Sequence, residues 1–152
     1  MFGMTNNHVS GACNHAMPGL SILAPGPVDA TQDACDPFPI GRHSRLLPIN
    51  DGIPENINID QNCDVSLFSF SALDRVSSHQ GSAYDTPGVV GQPVPGTRVK
   101  KVGRTTGLTS GTLVAQAASA IPVAYNVNEY GVKKIVWFDT EPRRLVVSAD
   151  VV

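Results

Sequence analysis

A histidine near the start of the chain and an aspartate in its middle are residue types that can serve as a general base and as the carboxylate that orients it. His8 lies in Thr5-Asn6-Asn7-His8-Val9, and Asp64 directly precedes the apolar run Val65-Ser66-Leu67-Phe68. Acyl transfer by a serine hydroxyl needs a base, and histidine suits this because its unperturbed pKa lies close to neutral pH. A buried aspartate on the other ring nitrogen holds the tautomer and stabilises the imidazolium.

A serine nucleophile that would complete this pair is not identifiable. Such a serine needs a glycine-containing turn that exposes its hydroxyl and directs backbone N–H groups into an oxyanion hole. The sequence contains no Gly-Asp-Ser-Gly. Ser148 lies in Val147-Ser148-Ala149-Asp150, which lacks glycine, and Ser110 has the context of a hairpin residue. We therefore assign neither serine as the nucleophile.

The elements that must position His8 and Asp64 are short strands separated by frequent turns. Apolar runs bounded by Gly, Pro, Asn and Asp predict strands, and no convincing helix is found. The predicted strands lie at 20–23, 44–47, 65–70, 97–102, 112–118, 121–127, 133–138 and 145–147. The pattern is typical of an all-β, antiparallel barrel or sandwich.

Composition limits the function classes. The 152 residues are 41% hydrophobic, which is enough for a packed core. A net charge of −2 and an aromatic content of 6% argue against a nucleic-acid partner. No apolar run reaches the length of a membrane span, so we expect no membrane partner either.

Five segments match those of a known family. They are Asn6-Asn7-His8-Val9, 22–29, Phe38-Pro39-Ile40, 62–67 and, most specifically, Val102-Gly103-Arg104-Thr105-Thr106-Gly107-Leu108-Thr109-Ser110-Gly111-Thr112. In these five segments the sequence resembles the chymotrypsin- and trypsin-like serine proteases, in particular the bacterial trypsin-like proteins related to the plant narrow-leaf proteins. The resemblance implies a chymotrypsin-like double β-barrel and hydrolysis of a peptide or protein substrate through an acyl-enzyme. It also implies that His8 is the general base, that Asp64 orients it, and that no cofactor or metal is needed.

The sequence departs from this family at both ends. The family's serine turn should follow the strand matched by 135–138, but 139–144 has no such turn. The first strands of the N-terminal barrel are absent before Met1. We therefore expect a first barrel at 1–80, a linker at 81–95 and an incomplete second barrel at 96–152. We also expect little or no proteolysis by this chain alone, and self-association through unpaired strand edges.

The cysteines and the N-terminal residues indicate in which cellular compartment we expect the protein. Cys13, Cys35 and Cys63 cannot all pair within one molecule. Neither a basic segment nor an apolar segment of a secretory signal is visible at the N-terminus, although the sequence is expected to be incomplete there. We therefore expect thiols in a reducing, cytoplasmic setting.

Two alternatives remain open. The first is a non-catalytic peptide-binding or regulatory module on a protease fold, in which an edge strand of the second barrel pairs with a peptide. The missing nucleophile favours this alternative, and the retained His8 and Asp64 argue against it. The second is a metal-binding β domain, because several side chains carry suitable donor atoms. These are Cys13, His15, Cys35, His43 and Cys63, but no Cys-x-x-Cys pair occurs among them.

Overall fold

The computed structural model describes residues 1–26, 37–77, 79–80, 83–84, 90–91, 94–103, 106–140 and 147–148. Within these residues almost all regular structure is antiparallel strand, so the predicted all-β class is confirmed. The only α-helix described is α1 Asn7–Ser10, and short 3-10 helices occur at Pro54–Asn56, Ile59–Gln61, Leu73–Arg75 and Asn128–Tyr130. The strands are β1 Phe2–Thr5, β2 Ser21–Ala24, β3 Phe38–Leu46, β4 Ser66–Phe70, β5 His79–Gln80, β6 Ala83–Tyr84, β7 Val90–Gly91, β8 Arg98–Gly103, β9 Gly107–Thr112, β10 Ile121–Val127, β11 Val132–Phe138 and β12 Val147–Ser148.

The chain divides into two compact units. Unit 1 comprises Met1–Val76 and Ile121–Asp139, and unit 2 comprises Ser77–Ala120 and Thr140–Val152. Our sequence-based limits of 1–80, 81–95 and 96–152 place the β10–β11 hairpin in the second barrel, whereas it is part of unit 1. Much of 81–95 lies outside the described residues.

Unit 1 contains a four-stranded antiparallel sheet in the order β1-β4-β3-β2. The side chain of Phe68 on β4 is buried and fixes the spacing of the neighbouring strands. A Cβ atom added to Gly3 on β1 would overlap the Phe68 ring, and one added to Gly41 on β3 would overlap the backbone oxygen of Ser69 and, less closely, the Phe68 ring. Because glycine has no side chain, both strands lie against this ring.

The β10–β11 hairpin supplies much of the core of unit 1. It turns through the 3-10 helix Asn128–Tyr130 and through Gly131, whose φ of +64° is in the left-handed region that favours glycine. The core cluster consists of four buried residues, Cys13, Ile49, Val127 and Val136. Val127 and Val136 belong to the hairpin. This shared apolar burial, which is non-local in sequence, explains why the hairpin packs with residues 1–76.

Unit 2 contains the β8–β9 hairpin, in register from Arg98 opposite Thr112 to Gly103 opposite Gly107. The hairpin is found as predicted, but its second strand covers Gly107–Thr112 instead of 112–118 because Gly107, at φ +60°, ends the turn early. The predicted strand 145–147 falls partly outside the described residues. No sheet of the described residues closes on itself, and the double barrel stays a prediction.

Candidate functional site

His8 and Asp64 meet within unit 1. Nδ1 of His8 lies 2.5 Å from Oδ2 of Asp64, and the backbone N–H of His8 donates to Oδ1 of the same carboxylate over 2.8 Å. We assign the donor role to Nδ1, because an ionised carboxylate only accepts hydrogen bonds. The aspartate therefore holds both the ring and the backbone of His8.

Strand register explains how two residues so distant in sequence come together. β1 and β4 run antiparallel, with Thr5 opposite Ser66. The chain leaving β1 and the chain entering β4 consequently emerge at the same end of the sheet. His8 follows β1 on α1, and Asp64 lies just before β4, so their side chains project from adjacent points.

Asn6 also binds Asp64. It occupies the N-cap position of α1, where asparagine commonly accepts a backbone hydrogen bond, but its side chain makes no cap bond here. Instead, Nδ2 of Asn6 donates to the backbone oxygen and to Oδ2 of Asp64, each over 3.2 Å. The residue thus fixes the aspartate from the side of α1.

Asn7 anchors α1 to the rest of unit 1. Its side chain is fully buried and donates from Nδ2 to the backbone oxygen of Leu47 and to Oδ1 of Asn14, both over 2.7 Å. In return, Oδ1 of Asn7 accepts from the backbone N–H of Asn14. These bonds join the helix that carries His8 to the turn after it and to the segment after β3.

That turn has an unusual backbone. Ala12, Cys13 and Asn14 have consecutive φ values of +46°, +51° and +73°, which non-glycine residues rarely adopt. The turn places Cys13 in the core, where burial and the charge of Asp64 raise the pKa of its thiol. A buried thiol that resists ionisation is a poor nucleophile, so we assign Cys13 a packing role.

Tyr125 is the member of the site that our sequence reasoning missed. Its hydroxyl donates to Oδ2 of Asp64 over 3.3 Å, and its ring centroid lies 5.1 Å from that of His8 at an interplanar angle of 32°. Burial and the neighbouring Asp64 carboxylate raise the pKa of its phenol. One signal could have found it: the alternation of β10 places Tyr125 on the less exposed face of the strand, where a half-buried phenol usually finds a hydrogen-bond partner.

The geometry leaves the other side of the imidazole accessible. The side chain of His8 is 40% exposed and that of Asp64 is 15% exposed. Among the residues that the structure describes, none is hydrogen-bonded to Nε2 of His8, and no serine hydroxyl is bonded to the ring. With Nδ1 held as a donor, Nε2 is the atom that can accept a proton.

Ser10 and Ser66 lie near the dyad but bind each other. Their Oγ atoms are 2.6 Å apart, and Ser66 is fully buried. Ser110 lies on β9 in unit 2, and the side chain of Ser148 is outside what the structure describes.

The residues proposed for the metal-binding alternative do not assemble into a site in the described part of the chain. No group of three or more His, Cys, Asp or Glu residues there could hold a metal ion, and Cys35 lies outside it. His43 is buried on β3, and neither of its ring nitrogens has a hydrogen-bond partner among the described residues. The ring of His15 stacks on Tyr130.

Comparison with known proteins adds no relative. No protein-family model, no curated protein and no solved structure matches the chain. Of the helices that are described, none has the length and apolar character needed to cross a membrane.

Proposed function

We propose that His8 and Asp64 are the general base and the orienting carboxylate of a peptide-bond hydrolysis site of the chymotrypsin-like type, in a chain with the double-barrel architecture of that family. The observation that carries this proposal is the 2.5 Å contact between Nδ1 of His8 and Oδ2 of Asp64, together with the second bond from the His8 backbone. Two bonds to one carboxylate fix both the position of the imidazole and its tautomer.

The proton path follows from this arrangement. Nε2 of His8 takes the proton of a hydroxyl as that hydroxyl attacks the substrate carbonyl, and the ring becomes an imidazolium. Asp64 stabilises the positive ring without itself taking the proton, because the Nδ1 proton stays on the ring. Nε2 then returns its proton to the leaving amine, and the same cycle with water releases the acyl group.

The expected activity depends on the serine nucleophile, which our sequence analysis did not identify. Since no serine in the described residues is bonded to His8, we expect little or no peptide hydrolysis by the chain alone. A serine-directed fluorophosphonate probe and a set of fluorogenic peptides test this expectation. Efficient labelling that disappears in His8→Ala would contradict it.

The general-base pair itself can be tested without a serine. Hydrolysis of p-nitrophenyl acetate needs only a base or an imidazole nucleophile, and we expect a component of the rate that is lost in His8→Ala. Asp64→Asn should lower that component by about tenfold or more, because the ring loses its acceptor. His79→Ala, which removes an exposed histidine of unit 2, is the matched control. Equal rates in the wild type and His8→Ala would refute the proposal.

The peptide-binding alternative has one favourable observation. β8 and β9 form a two-stranded sheet, so within the described residues each has an outer edge without a strand partner. An extended peptide can add to such an edge through main-chain hydrogen bonds. Peptide binding that is unchanged in His8→Ala, in the absence of any His8-dependent hydrolysis, would favour this alternative.

A further inference from the structure

We propose that Tyr125 is a positioning residue of the His8–Asp64 pair, which holds the carboxylate through its hydroxyl and the imidazole through its ring. This inference rests on the proposed function, since it names a further residue of the same site. Tyr125 belongs to a strand that our sequence-based domain limits assign to the other barrel, so no sequence motif connects it with His8.

The hydroxyl acts on one oxygen of Asp64. Oδ2 receives three donors: Nδ1 of His8 over 2.5 Å, Nδ2 of Asn6 over 3.2 Å and the hydroxyl of Tyr125 over 3.3 Å. Oδ1 receives the backbone N–H of His8. A carboxylate held from α1 and from β10 together cannot turn away from the imidazole without breaking several bonds.

The ring acts on His8. The centroids of the two rings are 5.1 Å apart, and the Tyr125 ring is in turn met edge-on by Phe138 at 6.4 Å. The ring of Tyr125 therefore contacts both the imidazole and the ring of Phe138. This contact limits rotation of the imidazole, so that Nδ1 keeps facing Asp64.

The phenol keeps its proton at the pH at which histidine changes charge. Burial is the largest cause of its raised pKa, followed by the charge of Asp64 and the hydrogen bond to it. A phenolate beside this carboxylate would bring two negative charges together, so the hydroxyl remains a donor. The hydroxyl of Tyr125 therefore stays a donor to Asp64 at neutral pH.

The two contacts can be separated by substitution. Tyr125→Phe removes the hydroxyl and keeps the ring, so Oδ2 of Asp64 loses one donor. With one donor fewer, Oδ2 keeps more negative charge, and the remaining hydrogen bond from Nδ1 of His8 becomes stronger. Tyr125→Ala removes the ring as well and leaves the imidazole free to turn.

Proton NMR of the full chain provides the test, because a ring N–H bonded to a carboxylate gives a resolved downfield signal. We expect the His8 Nδ1 proton to move further downfield in Tyr125→Phe and to broaden in Tyr125→Ala. Tyr130→Phe, which alters an exposed tyrosine stacked on His15, should leave the signal in place. An unchanged signal in Tyr125→Phe, or an equal change in Tyr130→Phe, would overturn the inference.

A second measurement tests the same hydrogen bond by replacing Asp64, the partner of Tyr125. The difference between the ultraviolet titrations of the wild type and Tyr125→Phe isolates the ionisation of Tyr125, and the same difference in the Asp64→Asn background should fall at lower pH. If Asp64→Asn leaves the ionisation of Tyr125 in place, the hydrogen bond between the two residues is refuted. Neither readout requires turnover, so a failure of ester hydrolysis would reject the proposed function while these signals still decide the role of Tyr125.

Discussion

Lys134 donates a hydrogen bond from Nζ to the backbone carbonyl oxygen of Cys13 over 3.3 Å. The lysine side chain is only 13% exposed, and its Nζ also lies 3.7 Å from Oδ1 of Asp51. Strand β11 thereby holds the left-handed turn that follows α1. Since Cys13 and Val136 are both fully buried, the turn and the hairpin share one packed interior.

This interior predicts a loss of stability at alkaline pH. The thiol of Cys13 and the phenol of Tyr125 both have raised pKa values in the folded chain. Above their ordinary values of roughly 8.5 and 10, the unfolded chain releases protons that the folded chain keeps. The free energy of unfolding therefore falls as pH rises from that point, whereas below it both states hold these protons and the contribution is complete.

Urea unfolding at a series of pH values measures this decline. We expect a shallower decline in Cys13→Ala and in Tyr125→Phe than in the wild type, and the wild-type slope in Tyr130→Phe. The slope is compared instead of the absolute stability because Cys13→Ala also leaves a small cavity. Parallel curves for all four proteins would contradict the prediction.

Removal of the Asn7 side chain should strongly destabilise unit 1. Asn7→Ala breaks two donor bonds and one acceptor bond and leaves the carbonyl oxygen of Leu47 without this donor. Buried polar groups that lose their partners make the expected cost about 3 kcal/mol. Asn58→Ala is the control, because Asn58 is exposed and accepts one local bond from Asp60. Equal midpoints of denaturation for both variants would be the contrary result.

Replacement of His43 should not lower the free energy of unfolding, in contrast to replacement of Asn7. Both ring nitrogens of this buried residue are without a partner in the described part of the chain. Leucine has a similar volume and brings no polar atoms, so His43→Leu removes a desolvation cost without breaking a bond. We expect the free energy of unfolding to stay equal or to rise by about 1 kcal/mol. A marked loss of stability in calorimetry would reveal a polar partner of His43.

A methyl group at Gly3 should disturb the sheet. In Gly3→Ala the new Cβ atom would overlap the buried Phe68 ring, and we expect a cost of about 1–3 kcal/mol. Phe68→Leu in the same chain should reduce that cost, because the smaller side chain makes room. The control is Gly111→Ala in β9, where a Cβ atom would meet Val99 at an ordinary 3.9 Å.

A double-mutant cycle of Gly3 and Phe68 evaluates this clash. We expect the double variant to lose less free energy of unfolding than the sum of the losses in the two single variants. Additive losses would place the damage elsewhere in β1.

The regular strands were the part of the fold that local sequence could predict. The alternation in β10 and β11 gave 121–127 and 133–138, and the observed strands are Ile121–Val127 and Val132–Phe138. The strand predicted at 44–47 is the end of a longer one, Phe38–Leu46. Pro39 and Gly41 weaken the local strand signal, and pairing with both β2 and β4 compensates for it.

Features that depend on distant contacts escaped prediction. α1 has only four residues, too few for a helical period, and it starts directly after a strand. The left-handed turn contains alanine and cysteine, which do not favour positive φ by themselves. Besides the nearby Asn7, it is held by Lys134 from a strand far along the chain. Tyr125 reaches Asp64 because β10 packs with unit 1, and sequence spacing does not encode that choice.

The discontinuous makeup of unit 1 has a consequence for the nascent chain. A ribosome completes residues 1–76 and then the whole of 77–120 before it begins β10. Until Val136 has been made, the interior around Ile49 and Cys13 lacks the hairpin that packs against it. The sheet of β1 to β4 therefore stays incompletely packed while the residues after position 76 are synthesised. Slow synthesis between residues 76 and 121 prolongs this interval, and His8 gains its contact with Tyr125 only after β10 has been made.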